Sequence, residues 1–124
     1  MRGIIAAMLR DRSTRETFCF SVSCAECGLV WNSRKTGFSK AGILPQSDGK
    51  RIVFDALYQK ERERARNTAI REATENFNRC PICHRIVCNR CFLICEDLDM
   101  CVLCASQLNE HGAPVMPPRV EAVI

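Results

Sequence analysis

Large apolar side chains alternate with small ones along residues 17–23, TFCFSVS, putting Phe18, Phe20 and Val22 on one face. A period of two predicts a half-buried strand. Leu29, Val30 and Trp31 predict a second strand, and CAECG between the two predicts a tight turn for which Gly28 supplies the backbone freedom. Over residues 53–78 the period changes to that of one long helix. Phe54, Tyr58, Ala65, Ala69, Ala73 and Phe77 fall in one drifting stripe at ~100° per residue, and the alanines allow close approach to a support. Lys60 and Arg64 fall opposite, with Arg71 at the flank. Glu61 and Glu63 reach Arg64 and Arg66 at i+3, worth about 0.2–0.5 kcal/mol per pair. Ser47 and Asp48 lie too early to cap a helix that starts at 53.

Elsewhere the pattern is weaker. Ile4 to Leu9 predicts a turn or two of helix, or a strand, in an N-terminal arm over 1–16 packed on the domain. Residues 32–51, with Gly37, Gly42, Pro45 and Gly49, predict a loop or wide hairpin. Arg85, Ile86 and Val87 predict a short extended link. Phe92, Leu93 and Ile94 predict a short core run, and CVLCASQLN, 101–109, a knuckle leading into a short helix. Residues 111–124, with Pro114, Pro117 and Pro118, predict a flexible tail.

The chemistry lies in the cysteines. Eight of the ten form four Cys-x-x-Cys pairs: Cys24/Cys27, Cys80/Cys83, Cys88/Cys91 and Cys101/Cys104. Each such turn brings two sulfurs to one ion, and two turns complete a tetrahedron, so the count is that of two four-cysteine zinc sites per chain. Four residues part Cys83 from Cys88. Extended, they span roughly 13 Å at about 3.3 Å per residue, which places the two central pairs on different ions. The first and fourth pairs then join either a crossed or a sequential arrangement, and spacing leaves both open. Cys19 and Cys95 lie outside the pairs and read as structural thiols. His84 and His111 are not needed as ligands, because eight sulfurs already fill two sites.

The four pairs, with CPICHRIVCNRC at the centre, resemble the double-zinc cross-brace of FYVE-type fingers and their treble-clef relatives over Cys24 to about Asn109. The resemblance implies crossed ligation: Cys24, Cys27, Cys88 and Cys91 on one ion, Cys80, Cys83, Cys101 and Cys104 on the other. It does not carry lipid binding. Lipid-reading members have a basic, histidine-rich run around the second and third pairs, whereas NFNRCPICHR offers only Arg79, His84 and Arg85. The expected fold is a small α+β zinc-stabilised domain over 17–110. It has treble-clef or zinc-ribbon-like hairpins, one long inserted helix at 53–78 and a short C-terminal helix.

Composition supports a metal-held fold. One Trp, one Tyr and six Phe in 124 residues make a thin core. Structural zinc offsets this at an apparent ~10–16 kcal/mol per site in small peptides. The start of the chain does not read as a signal peptide, and a disulfide scaffold would not require every bridge candidate to sit in a Cys-x-x-Cys pair. A reducing cytoplasm, or a nucleus in a eukaryote, is the expected compartment, and no stretch reaches the ~18 apolar residues of a membrane span. The formal charge of +4 falls to about zero once two sites of four thiolates and one zinc ion, each −2, are counted.

No catalytic constellation accompanies the cysteines. A catalytic zinc keeps a position open for water, and here every pair has a matching pair. His-Glu motifs and Gly-rich phosphate loops are absent. The expectation is therefore a non-enzymatic zinc module with a protein partner. Nucleic acid is the second class, since residues 31–79 hold 11 Lys/Arg against 6 Asp/Glu, although their aromatics are scattered. A RING-like ubiquitin-ligase module ranks third, because the usual histidine ligand has no counterpart among the eight cysteines.

Overall fold

The computed structural model describes residues 1–116; the predicted tail from residue 117 on lies outside the described residues. Chain order is α1 (Arg2–Met8), β1 (Arg10–Asp11), β2 (Thr17–Phe18), β3 (Phe20–Ser23), β4 (Val30–Asn32), β5 (Thr36–Gly37), α2 (Asp48–Asn76), β6 (Phe77–Arg79), β7 (Ile86–Cys88), β8 (Phe92–Cys95), β9 (Met100–Cys101), α3 (Val102–Leu108) and β10 (Gly112–Pro114). The result is a small α+β architecture of three helices and small antiparallel sheets. No helix among the described residues is long and apolar enough to cross a membrane. The chain divides into two compact units. One comprises Met1–Val22 and Trp31–Thr74; the other comprises Ser23–Val30 and the described residues from Glu75 on.

The first unit has a conventional apolar core. Phe18, Phe20, Phe38 and Ala69 are buried, with Leu9, Phe54, Leu57, Tyr58 and Ala65 packed against them. Phe38 is the hub: its ring meets Phe54 and Tyr58 at 5.2 Å and Phe18 at 6.1 Å, all near edge-to-face. The Tyr58 hydroxyl donates to the Thr14 carbonyl at 2.9 Å. Arg62 lies over the Phe20 ring, 5.7 Å from its centroid, while its Nε donates to the Asp11 carboxylate at 2.8 Å. The N-terminal arm belongs to this unit. Ile5 of α1 is fully buried, and β1 pairs with β3 through Arg10–Ser21 and Asp11–Phe20.

Several elements differ from the sequence reading. Helix α2 begins at Asp48, five residues early, and Ser47 caps it after all: its Oγ accepts the Lys50 amide at 3.1 Å. Gly49 in the first turn hides this start. The helix ends at Asn76, and Phe77 opens β6. Of the two i+3 pairs, Glu63–Arg66 forms, loosely, at 4.0 Å. Glu61 instead takes the Ser39 amide at 3.0 Å and its hydroxyl. The 17–23 strand breaks at Cys19 and is covered on both faces, since Cys19 and Ser21 are buried along with Phe18, Phe20 and Val22. Within the 32–51 loop, Thr36–Gly37 forms a short strand whose partner, Thr17–Phe18, lies outside the loop.

The second unit is built from short pairings. Strands β6 and β7 form a hairpin, with Phe77 opposite Cys88 and Arg79 opposite Ile86. A three-stranded sheet runs β10-β8-β9. The run 92–94 is less buried than expected: Phe92 and Leu93 are half-buried and Ile94 is exposed, although β8 is the central strand of its sheet. Residues 112–114, read as tail, are a strand against β8, pairing Gly112 with Cys95 and Pro114 with Leu93.

Candidate metal centres

Two knuckles of matching geometry carry the first two cysteine pairs. In the upstream one, the turn between β3 and β4, the Cys24 amide donates to Leu29 O at 2.8 Å and the Gly28 amide to Cys24 O at 3.1 Å. Gly28 sits at φ 75°, the left-handed region that favours glycine. In the other, between β6 and β7, the Cys80 amide donates to Arg85 O at 2.9 Å and the His84 amide to Cys80 O at 2.8 Å. His84 takes the position of Gly28, at φ 65°. The Ala25 amide donates to Ile86 O at 3.0 Å and ties the two turns together.

The sulfurs gather into two groups of four. Cys24, Cys27, Cys88 and Cys91 form one; Cys80, Cys83, Cys101 and Cys104 form the other. Within each, all four Sγ atoms lie within 4.8 Å of one another. Of the two arrangements that spacing leaves open, this is the crossed one. A tetrahedral ion with bonds of about 2.3 Å needs sulfurs about 3.8 Å apart along an edge. Cys27 and Cys88 are 3.8 Å apart, and Cys83 and Cys101 are 3.7 Å apart. A disulfide needs about 2.05 Å, so these are not bonded pairs, and all ten cysteines are free. Each group can hold one metal ion, and an all-sulfur donor set fits zinc.

Backbone amides point at the sulfurs. Cys24 Sγ accepts from Cys88 N at 3.3 Å, Glu26 N at 3.4 Å and Cys27 N at 3.5 Å. Cys80 Sγ accepts from Cys101 N at 3.4 Å, and Cys101 Sγ, the N-cap of α3, accepts from Cys104 N at 3.4 Å. These amides stabilise thiolate.

The charge balance is uneven. Burial pushes the Cys24 thiol up, but the amides of Cys27, Cys88 and Glu26 outweigh it and leave it at about 7. For Cys83, burial is likewise overridden, by the Arg85 side chain and amide, and the thiol falls to about 6. Burial, with neighbouring sulfurs, holds Cys91 well above the ordinary thiol range and Cys104 up at about 12. Each group therefore mixes thiolate and thiol, and only a cation at its centre would let all four ionise.

Arg85 was missed in the sequence. Its guanidinium reaches Cys83 Sγ and Cys101 Sγ, each at 3.5 Å, the Ala25 carbonyl at 3.3 Å and the Glu26 carboxylate at 2.8 Å. The available signal was its place, two residues after Cys83, where a cation meets the thiolates. The remaining candidates belong to neither group. Cys19 is buried in the first unit, its thiol donating to Ser33 O at 3.4 Å. Cys95 is half-buried in β8, while His84 and His111 are exposed. In comparisons with known proteins, no family model, no curated protein and no solved structure matches the chain.

Proposed function

We propose that the chain is a structural zinc module with two four-cysteine sites, and that it acts as a protein-interaction domain rather than an enzyme. The observation that carries the reading is the closure of both groups. Each group brings together four protein sulfurs, enough to complete a tetrahedron around one ion with no position left for water or substrate. Crossed grouping, two like knuckles and a last pair entering a helix are the features that favour a treble-clef, cross-braced fold of the FYVE type. A reducing compartment, cytoplasm or nucleus, suits eight thiolates. Native mass spectrometry should find two zinc ions per chain. Affinity capture should then identify a protein that binds the purified zinc-loaded chain and is released by chelator; specific turnover of a small molecule would overturn the reading.

Nucleic acid ranks second. Lys60, Arg64 and Arg71 are exposed along α2, which favours it. The aromatics that base stacking would use weigh against it, because Phe38, Phe54 and Tyr58 are spent on one another. Charge reversal of Lys60, Arg64 and Arg71 to Glu should abolish any salt-sensitive oligonucleotide binding.

A further inference from the structure

The three most exposed large apolar side chains among the described residues share one stretch of the first unit: Leu44 at 80 %, Ile52 at 71 % and Val53 at 64 %. Leu44 and Val53 line a hollow of about 300 Å³ together with Ile43, Pro45, Phe54 and Leu57. The hollow lies where the 40–46 loop faces the first turns of α2. Burying such side chains in water-free contact stabilises a complex by about 25 cal/mol per Å² of apolar area, and contiguous exposed apolar patches, unlike singly scattered residues, mark interaction sites.

Its charge is one-sided. Lys40 and Lys50 line the hollow along with Gln46, and no carboxylate is among its lining residues. The adjoining hollow, about 480 Å³, shares Ile43, Leu44, Pro45 and Phe54 but is mixed in sign, with Arg15 and Arg51 beside Glu16 and Asp55. The apolar hollow is thus the cationic one.

We propose that this hollow docks an acidic, amphipathic peptide segment of a partner protein, with apolar anchors seated against Leu44 and Val53 and carboxylates paired with Lys40 and Lys50. The proposal rests on the interaction reading and gives it a surface. A concave site suits separate side-chain anchors, as in helix-in-groove recognition. A flat anionic bilayer fits it less well, since its apolar lining includes Phe54 and Leu57 within a hollow rather than forming a plane. A second copy meeting the same face would set lysine against lysine, because a two-fold interface is self-complementary.

The test uses the full zinc-loaded chain and a displayed library of random 12-residue peptides. Peptides enriched on the wild type should combine apolar residues at helical spacing with Asp or Glu. A labelled synthetic copy should bind, weaken as salt rises, and lose about tenfold or more in affinity on Leu44→Asp and on Lys40→Glu/Lys50→Glu. These residues are exposed, and unchanged circular dichroism and two bound zinc ions would show that the variants fold. Several results would overturn the groove: no enrichment, enriched peptides that are basic, or equal binding to Leu44→Asp. So would a Leu44-dependent affinity for phosphatidylserine vesicles in place of peptide, or a wild-type dimer that Leu44→Asp dissolves. A purified partner that binds wild type and Leu44→Asp equally would remove the groove and leave the interaction reading standing. An oligonucleotide ligand with no protein partner would remove the reading itself.

Discussion

Arg85 donates to the Glu26 carboxylate at 2.8 Å while the same guanidinium lies 3.5 Å from Cys83 Sγ. One cation therefore joins the knuckle of one cysteine group to two sulfurs of the other. Glu26 lies between Cys24 and Cys27, and Cys101, the second sulfur that Arg85 meets, is the N-cap of α3. The planar fork reaches these partners at once, which an ammonium cannot do.

Replacing Arg85 should loosen the group of Cys80, Cys83, Cys101 and Cys104 first. Outer-shell partners of metal ligands are typically worth 10–100-fold in affinity, so Arg85→Ala should weaken one zinc ion by about that factor. Arg85→Lys should restore charge without the fork and recover only part. Chelator competition on the loaded chain, followed by a metallochromic dye, reads this as one fast and one slow zinc. Equal release rates in wild type and Arg85→Ala would contradict it.

Single ligand changes should separate the eight grouped cysteines from the other two. Cys27→Ser or Cys101→Ser should bring the zinc count per chain from two to one under native conditions. Cys19→Ser and Cys95→Ser should keep two, since neither sulfur belongs to a group. A Cys95→Ser chain with one zinc would mean that the crossed grouping is not the ligand set.

Metal uptake should be linked to pH in a way that reports the mixed protonation of the groups. Cys24 at about 7 and Cys83 at about 6 lie below the ordinary thiol value of 9.0. Their contribution to the metal-free fold is complete above 9.0 and is lost as pH falls through those lower values. Cys91 and Cys104 are raised, so they stay protonated at neutrality and must give up protons to a metal. Zinc binding near pH 7.5 should therefore release fewer than eight protons per chain. The number should climb, and affinity fall, as pH drops toward about 5.5. Calorimetry in buffers of different ionisation enthalpy counts the protons. A constant eight across that range would mean that the groups are not formed before metal arrives.

The cysteine plan was legible because pair spacing is local: four equal pairs announce two groups of four sulfurs, and the stripe from Phe54 to Ala73 follows α2, while its last member, Phe77, falls in β6. What escaped reading is non-local or masked. Ser47 lies too early to cap a helix that starts at 53, but the helix starts at Asp48, where the Lys50 amide needs an acceptor and finds Ser47 Oγ. Strands β1 and β10 are two and three residues long. Their pairing depends on partners far along the chain, which no period of two reveals over so few residues. Arg85 escaped for the same reason, since Glu26 and Cys101 reach it only in the folded chain.

His84 is the strained member of the two knuckles. Its φ of 65° matches that of Gly28 at 75°, but it carries a Cβ there. A left-handed residue other than glycine costs roughly 1–2 kcal/mol, offset in part by the extra freedom glycine brings to the unfolded chain. His84→Gly should therefore be neutral to stabilising, by up to about 1 kcal/mol. His84→Val should destabilise, because branching at Cβ is worst tolerated at positive φ. Denaturant melts of the zinc-loaded chains at fixed free zinc compare them. A His84→Gly chain clearly less stable than wild type would mean that the imidazole makes a contact worth more than the strain.

Gly112 has no room for a side chain. A Cβ placed there would collide with the Ile94 carbonyl, a backbone atom that cannot swing aside, and would crowd Cys95 Sγ at 2.8 Å. Gly112→Ala should therefore push β10 off β8, since the clash falls at the Gly112–Cys95 pair itself. Cys95 reads the outcome. Burial, with Glu110 and Asp99 nearby, holds its thiol above the ordinary value, so slow alkylation is expected of the wild type. Once β10 lifts, alkylation of Cys95 in the zinc-loaded chain should quicken several-fold. Cys19, buried in the first unit, should stay unlabelled and serve as the internal control. If Cys95 is labelled at the wild-type rate in Gly112→Ala, the strand tolerates the methyl group and β10 is not held by close approach at this pair.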